Sequence, residues 1–188
     1  MVKAKEIILI GGSAGAYELI VEILTALSSS FKPAIIVILH RNERFSTKIE
    51  ETLSQKLDRT IHQASDKGEI SAGNVYFAPP GYHLLIEPNY LFSLDVSERI
   101  QFSRPSIDVL FETAAEVYEN RCTAFLLSGA NKDGSDGLHR IHALGGKSIV
   151  QLPQDARISF MPSHAIQSNE DFEIFNDMQI ITFFKNLK

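Results

Sequence analysis

Short, uniformly apolar runs separated by amphipathic stretches constrain this chain more than any single residue does. EIILI (6–10) is followed by AYELIVEILTALS (16–28), in which Ile20, Ile23, Leu24 and Leu27 fall at helical spacing while Glu18 and Glu22 take the other face. PAIIVILH (33–40), CTAFLLSG (122–129) and KSIVQ (147–151) repeat the apolar motif. Strands this evenly apolar must be buried on both faces, and a parallel sheet covered by helices is the architecture that does so. The pattern therefore predicts an α/β, three-layer, doubly wound fold with a mainly parallel sheet.

Between these runs, STKIEETLSQKL (46–57) carries a capping-box pattern from Thr47 to Glu50 and apolar residues at Ile49, Leu53 and Leu57, which predicts a helix. The stretch from TIHQA (60–64) through NVYFAPP (74–80) to HLLIEPNYLFSLD (83–95) changes texture, with a proline turn at Glu87 to Asn89, and predicts an antiparallel hairpin appendage. SIDVLFETAAEVYE (106–119) resumes the helical stripe, with Ser106 as its expected cap, and DGLHRIHALGG (136–146) is a helix closed by two glycines. FEIFNDMQIITFFKNLK (172–188) reads as a short strand and a closing helix capped near Asp177, its aromatics packed in the core.

The chain has 188 residues, enough for one substantial core and too few for two full-sized domains, so a single domain over 1–188 is expected. A net charge of −5 without a basic block argues against nucleic acid or an anionic membrane as partner. No stretch approaches the length of a membrane span, and EIILI is too short for the apolar region of a secretory signal. The lone Cys122 excludes an internal disulfide and, with a buried reduced thiol, fits a cytoplasmic protein. His62, His83, His139, His142 and His164 show no metal-ligand spacing, so neither a metal nor another cofactor is expected. His83 and His164 lie in loops that could rim a cleft.

In an open parallel sheet, ligands bind beyond the carboxyl ends of the strands. Three polar residues follow such ends: Ser13 after the first run, His40 at the end of the second, and Asp133 in the loop after CTAFLLSG. A hydroxyl, an imidazole and a carboxylate are the parts of a nucleophile, its base and the group that orients the base. Glycines around Ser13 allow a sharp strand-to-helix turn and set backbone N–H groups beside it. GGSAG also fits G-x-S-x-G, but an α/β-hydrolase would place several strands ahead of the serine and would order the triad Ser, acid, His. The order here is Ser, His, Asp, which suits a convergent triad on another sheet. A dinucleotide turn is the rival reading of IGGSAGA (10–16), and it is weakened because the second strand ends in His40 and Arg41 rather than an acidic residue.

Six strings in order, IGGSAGA, VILHRNERF (37–45), NVYFAPPGYH (74–83), RPSIDVLF (104–111), LLSGANKDGSDGLHRIHALGGKSIVQ (126–151) and FMPSHAI (160–166), resemble the catalytic domain of the chemotaxis receptor methylesterase (CheB-type) family. The last of them matches a Met-Pro loop of that family. The resemblance implies a serine hydrolase that removes methyl esters from receptor glutamates and deamidates some glutamines, with Ser13 as nucleophile, His40 as base then acid, and Asp133 as orienting carboxylate. It implies backbone donors for an oxyanion around Ala14 and Ala130, and a protein partner such as methylated receptor helices. Ala14, Arg41, Ala130, Asn131 and Lys132 depart from the family's usual Thr, Met, Met and small pair. Arg41 and Lys132 would then border the substrate cleft as added cations. The family's N-terminal receiver domain is not expected in this chain. A catalytically silent module that binds acidic helical surfaces is the reading of a different class.

Overall fold

The computed structural model of the chain describes residues 2–41, 48–168 and 171–188. The elements follow the predicted rhythm: β1 (Ile7–Gly12), α1 (Tyr17–Ala26), β2 (Ala34–Leu39), α2 (Ile49–Leu57), β3 (Ile61–Gln63), β4 (Val75–Phe77), β5 (His83–Ile86), β6 (Phe92–Asp95), α3 (Ile107–Tyr118), β7 (Cys122–Leu126), α4 (Ser135–Ala143), β8 (Lys147–Gln151), α5 (Phe160–Ser168), β9 (Glu173–Phe175) and α6 (Asp177–Lys185). Among the described residues seven strands form one sheet in the order β3-β4-β2-β1-β7-β8-β9, every neighbouring pair parallel.

The two faces of this sheet hold separate cores, as the alternation of side chains along a strand requires. Ile7 and Leu9 of β1 pack with Leu110, Phe111, Leu138 and Ile141 of α3 and α4, whereas Ile8 and Ile10 pack with Ile20, Ile23 and Leu24 of α1 and Phe184 of α6. Phe184 and its neighbour Phe183 both lie against Phe125 of β7, so the aromatics of the last helix serve the core. Among the described residues no helix is long and apolar enough to cross a membrane.

The antiparallel excursion is narrower than the sequence suggested. Among the described residues β5 and β6 are the strands that pair antiparallel, with an isolated antiparallel bridge from Glu69 to Leu91; β3 and β4 join the main sheet in parallel register, Ile35 opposite Val75 and Ile61 opposite Val75. FMPSHAI, matched to a loop, forms most of α5, with Pro162 in the first turn where its missing N–H breaks no helical bond. The cap of α6 is Asn176, which forms a reciprocal capping box with Gln179 one residue ahead of the expected Asp177. The expected cap of α2, Thr47, lies outside the described residues.

Chain order reverses at β1, which is flanked by β2 on one side and by the much later β7 on the other. Such a switch point opens a crevice at the carboxyl ends of the two strands. The loops after β1, β2 and β7 all emerge there.

Candidate active site

Gly12, the last residue of β1, pairs with Leu39, the last of β2. Ser13 and His40 are thus the next residues on neighbouring strands, whose axes run about 4.8 Å apart. The His40 N–H donates to the Gly12 carbonyl at 3.2 Å, and the Ser13 N–H donates to the Ser128 carbonyl after β7 at 2.9 Å. The glycines are needed for closeness as well as for turning. A Cβ on Gly12 would stand 2.6 Å from that of Ala16, and Gly15 has φ +85° and would meet Arg157 Cβ at 2.7 Å. Ser13 is half-buried, and among the described residues its hydroxyl makes no hydrogen bond.

His40 is held by a carboxylate from the far side of the crevice: Nε2 lies 2.8 Å from Asp133 Oδ2, with the imidazole 12% exposed and the carboxylate fully buried. Asp133 accepts three further bonds, from Ser106 Oγ (2.8 Å), Ile107 N–H (2.8 Å) and Asp108 N–H (3.0 Å). It therefore sits on the amino end of α3, where the unpaired N–H groups and the helix dipole favour a negative charge. This corrects the expected role of Ser106. Its hydroxyl does not cap its own helix but donates to the carboxylate that does.

Asp108 returns the arrangement. Its Oδ1 accepts from Gly134 N–H and Gly137 N–H, both at 2.8 Å, at the start of α4. Burial alone would push the Asp133 carboxyl up, but the hydrogen bonds from His40, Asp108 N–H and Ile107 N–H hold it below the usual carboxylate range. Burial dominates at Asp108, and with the negative charge of Asp133 beside it the carboxyl is raised to about 7. One of the two neighbouring acids keeps its charge and the other tends to a proton.

With Asp133 ionised, the proton of neutral His40 resides on Nε2, leaving Nδ1 as the acceptor. Nδ1 lies 3.3 Å from Ser103 Oγ, which also accepts from Asn131 Nδ2 at 3.2 Å. Ser103, Ser106 and Asp108 were not singled out as site residues by sequence reasoning. Two of them lie in RPSIDVLF, and an acidic residue in a first helical turn is an ordinary feature, so nothing local signalled the reach of Asp108 to a second helix.

The other predicted residues divide. Ala14 and Ala130 are exposed on either side of the Ser13–Ser128 bond, and among the described residues neither N–H makes a hydrogen bond within the protein. Lys132 is exposed at the same loop. Arg41 turns inward: its side chain is 4% exposed, and Nη2 donates to Glu50 Oε1 at 2.7 Å and to the Ala78 carbonyl at 2.6 Å. These contacts tie its guanidinium to α2 and to the residue that follows β4. His83 is fully buried, accepting at Nδ1 from Ser106 N–H (3.2 Å) with Nε2 2.9 Å from the Glu98 carbonyl, and so supports the start of α3 instead of rimming a cleft. His164 contacts Ser135 Oγ at 3.1 Å on α4. A cavity of about 720 Å³ lined by Lys5, Glu6, Phe31 and Asn74 lies at the opposite, amino ends of the strands, away from these groups.

Comparison with known proteins agrees with this architecture. The pattern that defines the CheB methylesterase family matches residues 8–183. A putative protein-glutamate methylesterase/protein-glutamine glutaminase of Leptospira interrogans is 45% identical over 163 residues, covering 87% of this chain and 84% of that protein. A protein-glutamate methylesterase/protein-glutamine glutaminase of Thermotoga maritima is 30% identical over 165 residues, which cover 86% of this chain and 48% of the relative. The crystal structure of the Thermotoga maritima CheB methylesterase catalytic domain superimposes with a TM-score of 0.90 at 27% identity, covering 98% of both chains.

Proposed function

The chain belongs to the CheB methylesterase family, a family of carboxylic ester hydrolases, and on that premise we propose that it hydrolyses glutamyl methyl esters of a chemoreceptor-like protein through Ser13, His40 and Asp133. The observation that carries the reading is the 2.8 Å contact of His40 Nε2 with the buried Asp133 carboxylate, one strand away from Ser13.

In this mechanism Asp133 fixes the tautomer of His40 and stabilises its charged form. Nδ1 takes the proton as Ser13 Oγ attacks the ester carbonyl, and the N–H groups of Ala14 and Ala130 receive the developing oxyanion. Collapse of the tetrahedral intermediate expels methanol, which takes the proton from His40. Water then attacks the acyl-enzyme with His40 again as base and releases glutamate. A glutamine side chain entering the same site would lose ammonia at the first step, so deamidation needs no additional residue.

The test is hydrolysis of a methylated receptor-peptide ester together with labelling by a fluorophosphonate. Wild-type protein is expected to turn over and to label on Ser13, and Ser13→Ala to do neither while its circular dichroism and melting temperature stay unchanged. A Ser13→Ala protein that still hydrolyses the ester, or a wild-type protein inert to both reagents, overturns the proposal.

A further inference from the structure

We propose that Ser103 is a positioning residue that occupies the basic nitrogen of His40 in the resting protein and must yield it to Ser13 before acyl transfer. The inference rests on the reading of Ser13 and His40 as nucleophile and base.

The geometry is a competition for one lone pair. His40 Nε2 is committed to Asp133, so Nδ1 is the atom left to accept a hydroxyl proton. That position is taken by Ser103 Oγ at 3.3 Å, while the Ser13 hydroxyl has no hydrogen-bond partner among the described residues. An imidazole nitrogen carries a single in-plane lone pair and accepts one good hydrogen bond at a time. Asn131 reinforces the resting arrangement, because its Nδ2 donates to Ser103 Oγ and to the Gln101 carbonyl, both at 3.2 Å. With that donor on its oxygen, the Ser103 hydroxyl is left to point its own hydrogen at Nδ1, the alternative acceptor being the Gln101 carbonyl at the longer 3.5 Å.

Ser103 is presented by a tight turn with an exposed apex. Ile100 and Ser103 close a two-residue turn through paired backbone bonds of 3.1 and 2.8 Å. Both apex residues, Gln101 and Phe102, adopt left-handed backbone with φ +48° and +65°, which is unfavourable for residues carrying a side chain. Phe102 is 94% exposed, so no burial offsets that strain. Withdrawing Ser103 gives up the 3.3 Å contact and the two 3.2 Å bonds from Asn131 at a partly exposed site where water can replace them, whereas releasing Asp133 would break four hydrogen bonds to a fully buried carboxylate. The two nitrogens of His40 are therefore held unequally, one permanently and one provisionally.

The test compares wild type, Ser103→Ala and Ser103→Thr by rate of fluorophosphonate labelling at Ser13, by kcat and KM on the ester, and by the ¹⁵N resonance of His40 Nδ1 in the resting protein. Removing a weak hydrogen bond that competes with the productive one is expected to raise the labelling rate and kcat about two- to fivefold with KM unchanged. Threonine, which keeps the hydroxyl, is expected to behave as wild type. The Nδ1 resonance is expected to move in Ser103→Ala and to stay in place in Ser13→Ala. An Ser103→Ala protein that labels at the wild-type rate or more slowly, or an unmoved Nδ1 resonance, overturns the inference. A wild-type protein that does not label at all overturns the esterase reading instead, and the resonance then decides whether Ser103 holds Nδ1.

Discussion

Asp108 and Asp133 cap each other's helices. Asp133, which precedes α4, accepts the N–H groups of Ile107 and Asp108 at the start of α3, and Asp108 accepts those of Gly134 and Gly137 at the start of α4. The exchange requires the two helices to approach closely, and Gly137 permits it: a Cβ there would stand 2.5 Å from Phe111 Cβ and 3.0 Å from the Asp108 carbonyl. The carboxylate facing His40 is thus positioned by helix packing on one face of the sheet, and its charge is favoured by the dipole of α3.

Replacing Asp133 with Asn separates stability from chemistry. Each carboxylate oxygen accepts two bonds, Oδ1 from Ser106 and Asp108 and Oδ2 from His40 and Ile107, so an amide must aim its N–H₂ at donors. Asp133→Asn is expected to lower unfolding free energy by about 1–3 kcal/mol in urea titration. Esterase kcat is expected to fall by about 10³–10⁴, because His40 would be held in the wrong tautomer.

The raised acid makes stability depend on pH in a direction opposite to its neighbour. Asp108 is protonated more readily folded than unfolded, so its favourable contribution is complete below about pH 4 and is lost as pH rises through about 7. Asp133, held low, contributes above the unfolded carboxylate range and loses that contribution as pH falls through its folded value. Asp108→Asn keeps an oxygen for Gly134 and Gly137 and removes the charge. Its stability is expected to stand nearest to wild type near pH 4 and to exceed it increasingly as pH rises, by about 2–4 kcal/mol at pH 8, measured by denaturant unfolding at the two pH values. A variant less stable than wild type at pH 8 would contradict the assignment.

Gly15 tests how tightly the serine turn is built. At φ +85° an added Cβ is strained, and it would also meet Arg157 Cβ at 2.7 Å and Ser128 Oγ at 2.8 Å. Ser128 Oγ donates to the Ala14 carbonyl at 2.8 Å, so the clash reaches the loop beside Ser13. Gly15→Ala is expected to cost about 2 kcal/mol of stability in thermal unfolding and to slow labelling of Ser13 out of proportion to that loss.

The strand and helix succession was legible because periodicity is a local property: IILIGG and AIIVIL are apolar at every position, and a strand with both faces covered is the structure that tolerates this. Ser13, His40 and Asp133 stood out as candidates because each follows such a run and parallel strands deliver their carboxyl ends to one side, and the structure brings His40 and Asp133 into contact. Side-chain direction left no comparable mark. Arg41 follows His40 directly yet turns to Glu50 and the Ala78 carbonyl, His83 is buried under α3, and Nδ1 of His40 faces Ser103. Each of these orientations is set by partners distant in the chain, through packing and buried hydrogen bonds that exist only once the segments meet. Apolar spacing fixed which residues reach the crevice; the meeting of α3, α4 and the 100–103 turn fixed what each of them touches there, since a pattern of burial carries no information about which donor will find which acceptor.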